Sequence, residues 1–367
     1  MRYPKRDPNT TTPPQPTINY HLQTLYLFTA SDLPTFLLPT TLFGLSAALS
    51  GPLLTHTTAT TSTSLFQTLL RIPPTLILLW TNLLLFTISN QRSTAAIAED
   101  SANKPYRPLP AGRLTQAQAT HLLLVLTPLV LGIGYAAGIV TETLLLMVVG
   151  WMYNDLGGCE AHFLLRNGLS TVGYGIFLAV AMRGMVCGVL KEDGIRWLVL
   201  VTLVMFFSQH VCDFKDALGD RVRGRRSAPI VLGDGVARWS VAVPVLGASV
   251  VCPAFFGLGW ASFAGTMAVG GVVAGRVLMY RDVESDEVTW KLWALWTCVL
   301  FSLPVVKNPE VLCGAWDVVR AAVCPGGAWP GGFKGVAASG VAMIVEGKRM
   351  FASPSGVDNG TLSVIGS

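Results

Sequence analysis

The sequence predicts an all-α protein that spans a membrane about nine times. Of its 367 residues, 51% are hydrophobic and only 13% are charged, whereas soluble proteins of this length carry about a quarter charged residues. The mean hydropathy of +0.52 likewise indicates that lipid surrounds most of the chain. The apolar runs approach the roughly 20 residues that a helix needs to cross a bilayer. Strands are excluded because an open sheet leaves backbone groups unpaired in lipid.

Three segments differ in composition. Residues 1–28 are polar and rich in Pro and Thr, with no signal-peptide pattern, and are expected to form a disordered tail. Residues 29–307 hold the apolar runs and form the membrane domain. Residues 308–367 are Gly-rich with little periodicity, so a weakly ordered tail is expected there. That tail contains a glycosylation sequon at Asn359, a short motif of low specificity.

The apolar runs define nine candidate spans, of which the fourth is short. In chain order they are Leu33–Leu49, Leu69–Ser89, Ala119–Val140, Leu144–Leu156, Gly168–Val189, Arg196–Val211, Val241–Leu258, Phe263–Met279 and Val288–Val306.

The loops alternate in charge, which predicts their orientation. The segments that follow spans three and seven contain no Lys or Arg, whereas those that follow spans two and six are strongly basic. The basic residues of these two loops are Arg92, Lys104, Arg107, Arg113, Lys215, Arg221, Arg223, Arg225 and Arg226. By the positive-inside rule these loops and the N-terminal tail face the cytosol. We expect an integral membrane protein of the endoplasmic reticulum, with no nucleic-acid partner; the sequence is silent on oligomeric state.

The loop after span six, "QHVCDFKDALGDRVRGRRSAPIVLGD", carries three aspartates. Asp213, Asp216 and Asp220 are spaced i, i+3 and i+7, so a continuing helix places them on one face. Like charges so close are tolerable around a divalent cation, and Mg²⁺ commonly bridges carboxylates to substrate phosphates. The arginines that follow suit phosphate oxygens. The alternative for this loop alone is a solvated helix end with charges paired to each other.

The loop after span two, "NQRSTAAIAEDSANKPYRPLPAGR", repeats that chemistry. Its oxygen ligands would be Asn90, Glu99, Asp100 and Asn103, and its phosphate partners Lys104 and Arg107. Both loops lie on the same predicted membrane face, where ionisable groups at helix ends are functional candidates. We therefore expect them to form two halves of one site.

Together the two loops resemble the aspartate-rich motifs of the UbiA superfamily of intramembrane prenyltransferases. The family's first motif, N-D-x-x-D-x-x-x-D, is followed by R-P-L-x-x-G; Asn90 and "RPLPAG" (Arg107–Gly112) fit these positions. Its second motif is D-x-x-x-D, a basic residue and G-x-x-S/T, which Asp216, Asp220, Gly224 and Ser227 match. The resemblance covers about Leu33–Val306 and implies helices arranged around a central cavity.

The first motif departs from the family. Gln91, Thr94 and Ala98 occupy its acidic positions, and the acids are displaced to Glu99 and Asp100. This variant, with "YNDLGG" (Tyr153–Gly158) and "RNGLSTVGYG" (Arg166–Gly175), is similar to a fungal branch of UbiA-type sesquiterpene cyclases. The resemblance therefore implies a cyclase of secondary metabolism.

The resemblance and the phosphate chemistry imply an isoprenoid diphosphate as substrate and Mg²⁺ as cofactor. The implied metal ligands are Asn90, Glu99, Asp100, Asp213, Asp216 and Asp220, among which Asp100, Asp216 and Asp220 are the expected catalytic residues. The implied diphosphate-binding residues are Asn103, Lys104, Arg107, Lys215, Arg221 and Arg225. Metal and cations stabilise the leaving charge, and an apolar cavity keeps water from the allylic cation.

Aromatic faces stabilise cations in such a cavity. The candidates are Tyr153, Tyr174, Phe177, Phe206 and Phe207, although aromatic residues in membrane helices more often pack or face lipid. Asn154 and Asp155 would position the diphosphate or cap a helix. Two other functions remain open: a prenyltransferase with an aromatic or polyketide acceptor, and a transporter, for which polarity on one face is a poor match.

Overall fold

A computed structural model of the chain describes residues 17–56, 65–186 and 189–309, together with Leu312. Within this part the protein is a bundle of α-helices, and its sheet is limited to two short strands. β1 (Thr55–His56) pairs antiparallel with β2 (Val189–Leu190). Nearly all of the predicted C-terminal tail, including Asn359, lies outside the described residues.

The helices are numbered in chain order. They are α1 (Ile18–Thr29), α2 (Leu38–Leu49), α3 (Leu65–Leu70), α4 (Ile72–Gln91), α5 (Thr94–Asn103), α6 (Gln116–Ala136), α7 (Val140–Asn154), α8 (Phe163–Met185), α9 (Glu192–Ser208), α10 (Cys212–Arg223), α11 (Ala228–Leu232), α12 (Asp234–Phe255), α13 (Trp260–Met279), α14 (Val283–Phe301) and α15 (Leu303–Lys307).

The all-α membrane architecture predicted from the sequence is confirmed. Among the described residues, seven helical segments are long and apolar enough to cross a membrane, and a bent pair makes an eighth. The predicted count of nine is not confirmed. The fourth predicted span corresponds to α7, whose 15 residues are shorter than the roughly 20 that a bilayer requires.

The first span is broken into two helical segments. α1 and the helical segment 33–49 meet at an angle of 57°. Between them lies a π-helical turn, Leu33–Leu37, in which the carbonyl of Asp32 accepts hydrogen bonds from both the Phe36 and Leu37 amides. Pro34, which has no backbone N–H, sits at the start of this turn, where a donor is not needed. The break directs the chain of residues 31–36 along a cavity described below.

α1 also corrects the expected disordered tail. The helix begins at Ile18, with Thr17 as its N-cap, so the predicted tail boundary at residue 28 is too late by about one helix. The polar side chains of this segment are used in packing: Arg113 donates to Thr24 Oγ1 at 3.0 Å and to the Tyr20 carbonyl at 2.9 Å. These long-range bonds hold the helix against the bundle.

Small residues let the spans approach one another closely, as is usual in membrane bundles. A Cβ added at Gly44 of α2 would lie 2.3 Å from the carbonyl oxygen of Ala181 in α8. One added at Gly184 would lie 2.6 Å from Thr75 Oγ1. At these glycines the backbone of α2 meets the backbone of α8, and a threonine side chain of α4 meets the backbone of α8. α8 forms one wall of the cavity.

We predict that Gly44→Ala destabilises the protein by about 1–3 kcal/mol, the usual cost of overpacking, because α2 and α8 must separate. Thermal unfolding in detergent micelles measures the effect. The matched control is Gly132→Ala in α6, where an added Cβ meets nothing within 4 Å and alanine favours the helix. Equal melting temperatures for the two variants would contradict this account of the packing.

Candidate active site

A cavity of about 470 Å³ lies inside the bundle, a size typical of small-molecule sites. Its charged lining residues come from the ends of helices and from the loops that join them: Asp32, Arg92, Lys104, Arg107, Asp155, Lys215 and Asp216. Its aromatic lining residues come mainly from the spans: Phe36, Phe86, Trp151, Tyr153, Tyr174, Phe177, Trp290 and Trp293. The cavity therefore combines a charged region, with four cations and three carboxylates, and an aromatic wall.

The two basic loops meet at this cavity, as the sequence predicts. Lys104, which follows α5, places its Nζ 3.3 Å from Asp216 Oδ2 on α10, and Lys215 Nζ lies 2.8 Å from the same oxygen. Asn103 Nδ2 donates to the Asp216 carbonyl at 3.3 Å. Asp216 thus holds two lysines at the cavity. Of the six predicted metal ligands, Asp216 alone is among the residues that line the cavity.

A second set of contacts between the loops is buried behind the cavity. Glu99 accepts from Arg223 Nη1 at 2.9 Å and from Arg225 Nη1 at 2.7 Å. Arg225 also lies 3.3 Å from Asp220 Oδ1. Both oxygens of Glu99 are therefore committed to guanidinium groups. Glu99 acts as a clamp between α5 and the end of α10, which is a different role from the metal ligation implied by the sequence.

Asp100 is likewise paired and buried. Arg107 Nη1 donates to its Oδ1 at 2.8 Å, while Oδ2 has no hydrogen-bond partner. Burial raises the pKa of Asp100 above its usual value, against the opposing effect of Arg107. Burial also lowers the pKa of Lys104, although the charge of Asp216 acts in the opposite direction. An anion bound in the cavity would favour the charged form of Lys104.

Arginine side chains neutralise two further acids near the cavity, Asp155 and Asp213. Asp213 is paired with Arg166 of α8 at 2.6 Å, and Asp155 is ion-paired with Arg92. The Asp213–Arg166 pair lies behind the cavity, whereas both members of the Asp155–Arg92 pair line it. The family-like stretches around residues 153–158 and 166–175 thus supply partners to the two charged loops.

The start of the first motif is used for helix packing. Asn90 Nδ2 donates to Asn154 Oδ1 at 2.8 Å, which joins α4 to α7. Gln91, which stands where the family has an aspartate, is buried and donates to the Phe28 carbonyl at 2.8 Å. That bond ties the end of α1 to α4.

The predicted site residues thus divide into two groups. Those that line the cavity are Lys104, Arg107, Lys215, Asp216, Tyr153, Tyr174 and Phe177. Those that lie outside its lining are Asn90, Glu99, Asp100, Asn103, Asp213, Asp220, Arg221, Arg225, Phe206 and Phe207. Most of the polar members of the second group are occupied by partners on neighbouring helices, whereas Arg221 and Phe207 are exposed.

Several cavity residues escape sequence reasoning. Asp32 precedes the first span that the sequence predicts and lies outside both loops. Phe36 packs edge-on against Tyr174 and Phe177, with ring centroids 5.0 and 4.9 Å apart. Trp290 receives Lys215 Nζ at 4.5 Å from its ring centroid. Aromatic residues fill many positions in these spans, so only the rotation of each helix in the bundle reveals which ones face the cavity.

The oxygen donors fit a magnesium ion that is shared with a diphosphate. Asp216 lines the cavity, and Asp100 and Asp220 each keep one buried carboxylate oxygen without a hydrogen-bond partner. Within the described part of the chain, no three His, Cys, Asp or Glu residues form a group that would hold a metal by themselves. Mg²⁺ usually takes one or two carboxylates and completes its shell with substrate phosphates and water, which is compatible with these donors.

Known proteins resemble this chain in sequence and in fold. The profile of the UbiA prenyltransferase family matches residues 37–299. Fumagillin beta-trans-bergamotene synthase af520 of Aspergillus fumigatus is 31% identical over 226 residues, 60% of this chain and 70% of that protein. Somaliensene A/B synthase of Streptomyces somaliensis is 28% identical over 280 residues, which cover 74% of this chain and 88% of that protein. A UbiA homolog from Archaeoglobus fulgidus, solved with GPP and Mg²⁺, superposes with a TM-score of 0.55 at 12% identity, covering 78% of this chain and 99% of that one.

We predict that Glu99→Gln destabilises the protein by about 3–5 kcal/mol, because it removes the carboxylate charge that two buried guanidinium groups share. Arg223 then keeps only the half-exposed Glu160, and Arg225 keeps only Asp220 at 3.3 Å. Denaturant or thermal unfolding in micelles measures the loss, and added Mg²⁺ should not restore it. The control is Glu160→Gln, which removes a half-exposed partner of Arg223 and should cost about 0–1 kcal/mol. A wild-type melting temperature for Glu99→Gln would argue against the clamp.

Proposed function

This chain belongs to the UbiA prenyltransferase family, and we propose that it is a membrane-bound, Mg²⁺-dependent terpene cyclase. Its proposed substrate is an isoprenoid diphosphate, farnesyl diphosphate in the first instance, and its product a cyclic sesquiterpene of secondary metabolism. The proposed location is the endoplasmic reticulum membrane, with the charged loops in the cytosol, in keeping with their excess of Lys and Arg.

The observation that carries this proposal is that cationic and aromatic side chains line the same cavity. A diphosphate is a multiply charged anion, and Arg92, Lys104, Arg107 and Lys215 all line the cavity. An allylic hydrocarbon chain needs apolar surroundings, which the aromatic side chains provide. Two relatives that are named as terpene synthases support the choice of cyclisation.

The first step of the proposed reaction is loss of the diphosphate. The C–O bond to the diphosphate breaks, both electrons leave with oxygen, and the allylic carbon becomes a cation. Arginine offers bidentate hydrogen bonds to phosphate oxygens, and lysine offers a compact charge, so these groups would stabilise the leaving anion. Mg²⁺, held by Asp216 with Asp100 or Asp220, would add charge neutralisation at the diphosphate.

The second step is attack of an alkene of the same chain on the cation, which forms the ring bond and moves the positive charge to the other carbon of that alkene. Loss of a proton from a neighbouring carbon to the released diphosphate then gives the neutral cyclic hydrocarbon. Phe36, Tyr174 and Phe177 form one edge-packed aromatic group along the wall, and aromatic faces stabilise cations. Trp293 is held in place because its Nε1 donates to Ser208 Oγ at 3.1 Å. Fixed rings would guide the fold of the chain, while the apolar wall limits attack by water.

The alternative is transfer of the prenyl chain to an aromatic or polyketide acceptor. The family's own description, which names prenyltransferases, favours it. Both reactions begin with the same ionisation and differ in what captures the cation. They are therefore distinguished by the product, since the charged region would be common to both.

We predict that microsomes from yeast expressing the chain convert farnesyl diphosphate and Mg²⁺ to a cyclic hydrocarbon without any acceptor. Gas chromatography–mass spectrometry of the organic extract detects the product, and chelation of Mg²⁺ should abolish it. Asp216→Asn, which removes the charge that holds two lysines, should reduce turnover by at least about a hundredfold. A product that forms only after an aromatic acceptor is added would establish the transferase instead.

We further predict that Tyr174→Leu changes the ratio of products, because it removes a cavity-lining ring that packs on Phe36. Phe207→Leu is the matched control, since its ring is 52% exposed on the outside of the bundle and should leave the products unchanged. Chromatographic product profiles at equal substrate conversion make the comparison. Identical profiles for wild type and Tyr174→Leu would remove this ring from the proposed mechanism.

A further inference from the structure

The cavity contains one carboxylate that neither loop supplies. Asp32 lies at the break in the first span and lines the cavity. The other two cavity carboxylates are ion-paired: Asp155 with Arg92, and Asp216 with Lys104 and Lys215. In the described part of the chain, Asp32 has no cation within ion-pairing distance. Its Oδ2 accepts a hydrogen bond from Ser31 Oγ at 3.0 Å.

Asp32 is held where it is by residues of the first loop and of α4. Gln91 Nε2 donates to the Phe28 carbonyl at 2.8 Å, and Trp80 Nε1 donates to Thr29 Oγ1 at 3.1 Å. Arg107 Nη2 lies 3.4 Å from Ser31 Oγ. Three side-chain contacts, two from α4 and one from Arg107, therefore hold the end of α1 and the residue immediately before Asp32 in place.

The first motif lacks the family's aspartates, and the ion pairs of its remaining acids show which carboxylate could replace them at the cavity. Gln91 replaces the family's first aspartate, and the displaced Glu99 is saturated by two arginines behind the cavity. Asp100 is paired with Arg107 and also lies outside the cavity lining. Glu99 therefore has no free oxygen, and Asp100, which keeps one unpartnered oxygen, is not part of the cavity lining. Asp32 lines the cavity and is not ion-paired.

We propose that Asp32 replaces the missing first-motif aspartate as a carboxylate ligand for the magnesium–diphosphate, and that Gln91 is its positioning residue. This inference rests on the proposed function and deepens it. A metal ion can bind Asp32 without displacing a cation, whereas at Asp216 it competes with two ammonium groups. Gln91, which stands where the family has the aspartate, donates a hydrogen bond to the Phe28 carbonyl and so fixes the end of α1 next to Asp32.

The test measures binding without turnover, on the full-length protein in detergent micelles. Isothermal titration calorimetry with inorganic diphosphate is run with Mg²⁺ and again with EDTA. We expect Asp32→Asn, which keeps the side-chain shape, to weaken Mg²⁺-dependent binding by at least about tenfold, the scale on which even outer-shell groups affect metal affinity. Binding in EDTA should not weaken, because it depends on the cations. Asp32→Glu should recover part of the loss, and Asp193→Asn, an exposed acid in a pair with Arg196, should match wild type.

The positioning role of Gln91 is tested by a double-mutant cycle. Gln91→Met keeps the size of the side chain and removes the donor to Phe28, so Mg²⁺-dependent binding should weaken. In Asp32→Asn the same change should have no further effect, because the group it positions is already gone. Additive losses would mean that Gln91 acts through general stability and would overturn its positioning role.

The outcomes separate the two proposals. If wild type binds diphosphate with Mg²⁺ and Asp32→Asn binds equally well, Asp32 is not a ligand and the inference fails, while the proposed function stands. If wild type binds no diphosphate with or without Mg²⁺, the proposed function fails first. Equal weakening of Asp32→Asn in Mg²⁺ and in EDTA would also overturn the inference, because it would show an effect that does not pass through the metal.

Discussion

Buried and partly buried ion pairs formed by the two charged loops determine the form of the cavity. Glu99 joins Arg223 and Arg225, and Asp216 joins Lys104 and Lys215. A charge buried without a partner is very costly, so α5 and α10 are held in a register that satisfies all of these groups. In this register Lys104, Lys215 and Arg107 line the cavity, whereas Glu99 does not.

The same constraint separates the charged groups by role. Most acids of the two motifs are spent on neutralising arginines, and the cavity retains four cations against three carboxylates. A small cationic excess inside an apolar bundle favours an anion with a hydrocarbon chain. Aromatic side chains line the same cavity, so the fold brings cationic and apolar surfaces together in one volume of about 470 Å³.

The broken first span adds a second constraint. Helix continuity is interrupted at Leu33–Leu37, and the bonds from Gln91, Trp80 and Arg107 fasten the chain before the break. Phe36 follows Asp32 by one turn and packs on the aromatic wall. One short segment therefore contributes to the charged region and to the aromatic wall, which makes its position important for both.

The amino-acid sequence by itself determined the membrane fold, the two loops that meet, and four of the charged residues at the cavity: Lys104, Arg107, Lys215 and Asp216. These follow from local hydropathy and motif spacing, which can be read without knowledge of tertiary contacts.

Only the tertiary structure decided the rest. Glu99 pairs with arginines that lie more than a hundred residues away in the sequence. Phe36 and Trp290 line the cavity, whereas Phe207 faces the outside of the bundle. Hydropathy cannot separate a ring that faces a cavity from one that faces lipid, because both environments are apolar. Asp32 is the sharpest case, since its place at the cavity depends on a helix break and on contacts from distant segments.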